Sequence, residues 1–192
     1  LISEVYKDHK ETYELYSINF TNFYTTHSDE NKKHSENIYL KAKKNNLISK
    51  EIVEQLYDED EKMFLSDRFI KGSCPKCNEP DQHGDNCGKC GASYDVLEIK
   101  DPISILSSTS PIKKESEHIF FDLPKKLETL NKFLEESNLQ KPIKNKLKEW
   151  LNDDLKKWDI SRDAPYFGFE IPEENNKYFY VWVDAPIGYI AS

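Results

Sequence analysis

The feature that most constrains this chain is a cluster of cysteines. All four cysteines lie between positions 74 and 90, as two Cys-x-x-Cys pairs separated by nine residues. The two residues inside each pair form a turn that aims both sulfurs the same way, so four thiolates can surround one tetrahedral zinc ion at about 2.3 Å. The sequence therefore predicts one zinc ion per chain, held by Cys74, Cys77, Cys87 and Cys90.

The neighbouring residues favour this interpretation. Four of the six glycines lie in or beside the cluster, where tight turns need them: Gly72, Gly84, Gly88 and Gly91. A site closed by four sulfurs is structural, because a catalytic zinc keeps an open coordination position. The sequence leaves three alternatives open, namely two disulfides, a rubredoxin-like iron site, and replacement of one cysteine by His83.

Charge and hydropathy exclude several classes of protein. The 192 residues carry 35 Asp and Glu against 27 Lys and Arg, a net charge of -8. This acidic balance argues against nonspecific binding to a phosphate backbone, so DNA is not an expected partner. The longest apolar run, residues 178–183, is too short to cross a bilayer, and the N-terminus does not resemble a signal peptide. We expect a soluble, cytoplasmic protein without membrane partners.

Periodicity predicts the following elements. Residues 13–20 have the aromatic and β-branched content of a strand. Ser28, followed by two acidic residues, predicts a helix start, and Asn45 predicts its end. The predicted inward stripe of that helix is His34, Ile38, Tyr39 and Ala42. Together these elements predict a strand–loop–helix unit of α/β type.

The middle of the chain predicts shorter elements than the residues before it. Residues 47–118 predict short segments around the metal site, and residues 107–117 predict an exposed loop, because they carry almost no apolar side chains. Two helices then follow, with Pro124 and Pro142 in their first turns. The apolar stripe predicted for the second helix extends to Trp158.

The last stretch is the most apolar. Residues 178–183 predict a strand buried on both faces, followed by a turn of small residues and a helix. Open α/β sheets place ligands at the carboxyl ends of such strands, so Trp182 and Tyr189 would form the walls of an apolar slot. Packing of these aromatic side chains in a core is the alternative.

Arginine is rare in this lysine-rich chain, occurring only as Arg68 and Arg162. Arg162 lies among acidic residues in a turn-rich segment, from which its planar guanidinium could reach a phosphate or a carboxylate. A structural ion pair with a neighbouring aspartate is the alternative.

Four long motifs carry a resemblance to a known family. They are MFLSDRFIKGSCPKC (63–77), PDQHGDNC (80–87), WDISRDAPYFG (158–168) and YVWVDAPIGY (180–189). In these residues the chain resembles bacterial methionyl-tRNA synthetases, which are class I aminoacyl-tRNA synthetases. The likeness extends over essentially the whole chain.

The resemblance implies an α/β fold, namely part of a Rossmann-like catalytic domain interrupted by an α+β zinc-binding connective insertion. Residues 1–45 would end the first Rossmann half, residues 46–160 would form the insertion, and residues 161–192 would begin the second half. The chain would then be an internal fragment, inactive on its own. It lacks both signature motifs that hold ATP in this family, of the His-Ile-Gly-His and Lys-Met-Ser-Lys-Ser types.

The resemblance also assigns roles to residues. The pocket for the methionine side chain would be lined by Trp182, Ala185, Pro186 and Tyr189. Aromatic walls suit a thioether. Arg162 would act in the activation step, and Glu170 would help to hold the adenosine. The parent enzyme would join L-methionine to tRNA(Met), with ATP as co-substrate and Mg²⁺ as the counter-ion of ATP.

Two other functions stay open from the sequence. A stand-alone zinc-ribbon module that binds a protein or RNA would explain the cysteines but not the motif at 180–189. A class I synthetase for leucine or isoleucine would need a pocket for branched aliphatic side chains.

Overall fold

The structure is a computed structural model that describes residues 1–152 and 155–192. Within these residues, the α-helices are α1 (Ile2–Leu15), α2 (Asp29–Lys44), α3 (Leu127–Glu136), α4 (Lys141–Asn152) and α5 (Val181–Ala191). The strands are β1 (Ile48–Asp58), β2 (Met63–Phe64), β3 (Ile70–Ser73), β4 (Gln82–His83), β5 (Lys100–Ser104), β6 (Ile112–Phe121), β7 (Trp158–Asp159), β8 (Ser161–Asp163) and β9 (Lys177–Phe179).

The chain divides into two compact units. The first unit comprises Leu1–Ser49, Phe120–Ser161 and Phe167–Ser192, and the second comprises Lys50–Ile119 and Arg162–Tyr166. The first unit therefore contains all five helices of the described residues, and the second contains the cysteines. The domain boundaries expected from the sequence stay predictions.

Helix α2 begins where the sequence predicts. The Ser28 hydroxyl accepts a hydrogen bond from the backbone N–H of Asn31 at 3.2 Å, and the helix is capped at its C-terminal end by Asn45. Its buried face is Asn31, Ser35 and Tyr39. The predicted stripe is therefore wrong at His34 and Ile38, which are exposed.

The contacts of two of these buried residues explain why the buried face of α2 differs from the predicted stripe. The Asn31 side chain donates to the carbonyl oxygens of Thr26 at 2.8 Å and Asp184 at 3.1 Å, and so joins α2 to α5. Tyr39 packs edge-to-face on Phe179, with ring centroids 5.7 Å apart. Contacts with residues distant in the sequence thus accompany the buried face of α2, and hydropathy alone does not reveal them.

Helix α5 approaches the residues before α2 closely. A Cβ atom on Gly188 would lie 2.7 Å from Cγ2 of Thr26, which is closer than van der Waals contact allows. Glycine is therefore the residue that permits this packing.

The predicted strand at residues 13–20 is wrong, because α1 extends to Leu15. Its side chains repeat at helical spacing, and Lys7 pairs with Glu11 one turn later at 3.6 Å. Residues 18–20 then return along the helix as an irregular segment, in which Phe20 packs on Tyr13 with centroids 4.8 Å apart.

Both proline-opened helices are confirmed. Pro124 lies in a 3₁₀ turn that leads into α3, and Pro142 lies in the first turn of α4. The second helix is shorter than predicted, since Leu155 is non-helical and Trp158 begins β7. Trp158 pairs with Phe121 of β6, so sheet hydrogen bonding replaces the helical pattern there. Residues 153–154, which the predicted helix includes, lie outside the described residues.

The predicted strand at residues 178–183 is also wrong in its extent. Strand β9 ends at Phe179, and α5 begins at Val181. The supposed turn of small residues is helical, although it includes Pro186. An apolar run of six residues fits a buried strand and a helix start equally well, so hydropathy does not separate them.

The second unit contains two small sheets. Strands β2, β1 and β6 are hydrogen-bonded in that order, and β4, β3 and β5 form another sheet. Their core is made of the buried side chains Leu56, Leu65, Ile70 and Ile99. The cysteine cluster thus lies beside a small apolar core.

The exposed loop predicted at residues 107–117 is wrong after position 111, because β6 begins at Ile112. Its polar side chains form ion pairs with β1, between Lys113 and Glu54 at 3.0 Å and between Lys50 and Glu117 at 3.1 Å. Opposite charges on neighbouring strands stabilise a sheet surface that carries few apolar side chains.

Asp58, at the end of β1, is fully buried. Hydrogen bonds from Ser104 and Ser107 lower the pKa of its carboxyl to about 2. The backbone N–H groups of Asp60 and Glu61 also donate to it, at 3.0 and 3.1 Å. This carboxylate therefore ties together the β1–β2 turn and the loop after β5.

We expect the second unit to lose stability in acid through Asp58. A carboxyl with a lowered pKa contributes stability above its unfolded pKa of about 3.8, and this contribution is lost as the pH falls toward about 2. Urea unfolding followed by circular dichroism, at pH values from about 5 to about 2, measures how this stability depends on pH. Asp58→Asn should lower stability at neutral pH and flatten the acid dependence, whereas the exposed control Asp101→Asn should behave as the wild type. An unchanged acid dependence in Asp58→Asn contradicts the assignment.

Candidate functional site

The four cysteine sulfurs lie within 4.8 Å of one another and could hold a metal ion. The Cys74–Cys90 and Cys77–Cys87 sulfurs are 3.9 and 3.7 Å apart. Sulfurs around a tetrahedral zinc with bonds of about 2.3 Å are ~3.8 Å apart, so the cluster fits that ion.

Each cysteine pair is shaped by a matching turn. The backbone N–H of Asn78 donates to the carbonyl of Cys74 at 3.0 Å, and that of Gly91 donates to Cys87 at 2.9 Å. Both Asn78 and Gly91 have positive φ, at 59° and 70°. Asparagine and glycine are the residues that adopt this conformation most readily, so the local sequence fixes the two turns.

The surroundings of Cys74 and Cys77 shift the pKa values of the two thiols in opposite directions. Burial opposes ionisation of Cys74, but hydrogen bonds from the backbone N–H groups of Cys77 and Lys76 outweigh it and lower its pKa to about 7. The backbone N–H of Glu79 favours the Cys77 thiolate, but burial and the neighbouring thiols raise its pKa to about 12. Adjacent thiols cannot all ionise near neutral pH without a cation, and a dication supplies the missing charge.

His83 lies in β4 and is exposed. Among the described residues, the metal-capable group consists of the four cysteines and does not include it. The four-sulfur interpretation therefore accounts for the geometry without a histidine ligand.

Arg162 lies in β8, within the second unit, and is half-buried. Both of its neighbours in the chain are anchored. The Ser161 N–H donates to the carboxylate of Asp159 at 3.0 Å, and Asp163 lies 3.1 Å from Nε2 of His118. The arginine therefore projects from a backbone that is held on both sides.

The four residues predicted to line a slot lie on one side of α5, in the first unit. Trp182, Ala185, Pro186 and Tyr189 have the spacing i, i+3, i+4 and i+7 of a single helical face. Trp182 is 63% exposed and Tyr189 is 88% exposed, so this face is open to a ligand or to further protein. The structure brings together on a helix the side chains that the sequence predicts around a turn.

Glu170 is exposed and lies in a cavity of about 640 Å³ in the first unit. The cavity is also lined by Tyr24, His27, Lys32 and Phe169, among others. The His27 ring stacks on Phe169, with centroids 5.7 Å apart. Aromatic faces and carboxylates in one cavity can bind a ring that carries hydroxyl or amino groups.

His27 and its neighbours in this cavity are not predicted from the sequence. His27 directly precedes the helix-capping Ser28, Phe167 lies near the end of the motif that contains Arg162, and Phe169 directly follows that motif. The alternation of these two phenylalanines beside Glu170 is the signal that could have pointed to a shared surface.

Asp184 fixes α5 beside the start of α2. Its carbonyl accepts from Asn31, and burial raises the pKa of its carboxyl. This contact holds the helix that carries Trp182 and Tyr189.

Comparison with known proteins identifies the family. The family model described as tRNA synthetases class I (M) matches residues 1–192. The chain belongs to the class I tRNA synthetases. The family resemblance and the α/β fold class stated from the sequence motifs are thereby confirmed.

Solved structures show the same fold. The synthetase chain is similar to Mycobacterium tuberculosis methionyl-tRNA synthetase bound by methionyl-adenylate, with a TM-score of 0.60, 17% identity, and coverage of 95% of this chain and 32% of that chain. It is also similar to the apo form, with a TM-score of 0.58, 16% identity, and coverage of 95% and 32%. The chain thus spans about a third of these relatives. Across residues 1–152 and 155–192, no helix has both the length and the apolarity needed to cross a membrane.

We expect one zinc ion per chain, measured by metal analysis of the purified protein. Cys74→Ser should lose the metal and the cooperative unfolding of the second unit, because the ion's binding energy contributes to folding. His83→Ala is the matched control and should keep full zinc content. Protein that unfolds identically with and without a strong chelator contradicts a structural metal, and an absence of titratable thiols favours disulfides.

Proposed function

We propose that this chain belongs to the catalytic part of a methionine–tRNA ligase. The observation that carries the proposal is the single face of α5, on which Trp182, Ala185, Pro186 and Tyr189 lie together within the matched family region. Exposed aromatic rings beside small residues suit an unbranched, polarisable thioether. Branched aliphatic side chains gain less from aromatic edges, which disfavours a leucine or isoleucine enzyme.

In the proposed reaction, a carboxylate oxygen of L-methionine attacks the α-phosphorus of ATP. The new O–P bond forms methionyl-adenylate, and the bond to the bridging oxygen breaks, so pyrophosphate leaves with the electron pair. A terminal ribose hydroxyl of tRNA(Met) then attacks the carbonyl carbon, loses its proton and releases AMP. Mg²⁺ would accompany ATP as its counter-ion. Since its partner is tRNA, we place the protein in the cytoplasm.

Negative charge on the phosphoryl oxygens increases during the first step. A positioned guanidinium lowers the energy of that charge, because it needs no reorganisation when the reaction occurs. We assign this role to Arg162, which is half-buried between two anchored neighbours. Its planar donors can contact two phosphate oxygens at once.

Glu170 would hold the adenosine. Its carboxylate lines the cavity of about 640 Å³ together with the aromatic side chains of Tyr24, Phe169 and Tyr178. A carboxylate accepts hydrogen bonds from ribose hydroxyls, and an aromatic face can stack on the base. Zinc would have a structural role, held by Cys74, Cys77, Cys87 and Cys90.

A stand-alone zinc-ribbon module is the competing proposal, and the compactness of the second unit is its support. It does not explain why the family match extends over residues of the first unit. The test uses the protein that carries this chain together with the remaining segments of its relatives. Methionine-dependent pyrophosphate exchange by that protein favours the ligase over the zinc-ribbon module. Absence of that exchange, together with specific binding of RNA or protein by the second unit, favours the module.

Arg162→Lys should lower kcat for methionine-dependent pyrophosphate exchange on the order of 100-fold, with little change in the KM for methionine. The reason is that lysine keeps the charge but loses the bidentate geometry. Arg68→Lys, the other arginine of the chain, is the matched control and should keep wild-type kinetics. Equal kinetics for the two variants removes Arg162 from the mechanism.

Trp182→Ala should raise the KM for methionine on the order of 10-fold or more, because the thioether loses an aromatic contact. The KM for ATP should stay near its original value. Trp150→Ala, at an exposed tryptophan of α4, is the control for surface truncation. A KM for methionine that does not respond to Trp182→Ala places the amino-acid pocket elsewhere.

A further inference from the structure

One buried polar side chain has no role in the function proposed above. His118 lies in β6 and is 2% exposed. A buried imidazole loses its hydration, so it needs hydrogen-bond partners to offset that loss. Its partners therefore indicate what the residue does.

Nε2 of His118 lies 3.1 Å from Oδ2 of Asp163, whose side chain is 14% exposed. A carboxylate oxygen only accepts, so the imidazole nitrogen must carry the proton in this contact. The side-chain amide of Gln55, on β1, lies against the same edge of the ring, where its oxygen is the amide atom that can accept from this N–H. The ring is thus held by its own sheet and by the segment that contains Asp163.

Asp163 directly follows Arg162, and both residues belong to β8. The compact second unit joins residues 162–166 to residues 50–119, which are far away in the sequence. The hydrogen bond between His118 and Asp163 therefore joins the short arginine-bearing segment to a long strand that is distant in the sequence.

We infer that His118 is a positioning residue that fixes the Arg162 backbone through Asp163. The inference rests on the proposed function, in which Arg162 contacts the reacting phosphate. A side chain as long as arginine amplifies small shifts of its backbone, and a misplacement of about 1 Å at a reacting group can lower a rate on the order of 100-fold. The tie from His118 holds the C-terminal side of the arginine, and Asp159 holds Ser161 on the other side.

The first measurement is structural and does not depend on activity. In the protein that carries this chain, the backbone amides of Arg162, Asp163, Ala164 and Tyr166 should exchange with solvent faster in His118→Phe than in the wild type. The amides of β3 serve as an internal reference for general loss of stability. Ile119→Val, at a neighbouring buried position, is the matched control, since it perturbs packing but leaves the hydrogen bond intact.

The second measurement is kinetic. His118→Phe should lower kcat for methionine-dependent pyrophosphate exchange on the order of 10- to 100-fold, with little change in the KM for methionine. His118→Gln places an amide donor near the position of Nε2 and should recover most of the rate. Ile119→Val should behave as the wild type.

The outcomes separate the inference from the proposed function. If His118→Phe accelerates exchange in β3 as much as in residues 162–166, or matches Ile119→Val in both measurements, the inference is overturned. It is also overturned if His118→Gln is as slow as His118→Phe. If the wild type has no methionine-dependent activity, the proposed function fails, and the exchange measurement alone decides whether His118 positions the segment.

Discussion

Close packing of four sulfurs is the constraint on which the second unit depends. Neighbouring thiols resist joint ionisation, as the opposite pKa shifts of Cys74 and Cys77 reflect. A divalent cation would remove this conflict, and it would also tie together the two cysteine turns between β3 and β5. The unit has few buried apolar side chains of its own, so such a tie replaces what a larger core would provide.

Local chemistry made some features predictable from the sequence. Ser28 begins α2 because its hydroxyl accepts from a backbone N–H three residues later, and the Cys-x-x-Cys turns need only their own residues and the positive φ of Asn78 and Gly91. Such contacts are encoded within a few residues. The α/β fold class rests on the family motifs, because the strand of the predicted strand–loop–helix unit is wrong.

Other features depend on contacts between distant residues and could not be predicted. The strand at residues 112–117 is hydrogen-bonded to β1, with which it also forms two ion pairs, and the buried face of α2 includes Asn31, which reaches Asp184. The cavity at Glu170 combines His27 with residues more than a hundred positions away. The start of α5 was missed for a different reason, since an apolar run fits two kinds of element.

The proposed methionine site would depend on Gly188, a residue that would not touch the substrate. Its missing Cβ lets α5 settle against Thr26, while Tyr189, the next residue, lies on the exposed face. A larger side chain at position 188 would force either the Thr26 side chain or α5 to shift, and a shift of α5 would carry Trp182 and Tyr189 with it. In the proposed site, the width available to an amino-acid side chain would therefore be set from behind the helix, by the contact between Gly188 and the Thr26 side chain.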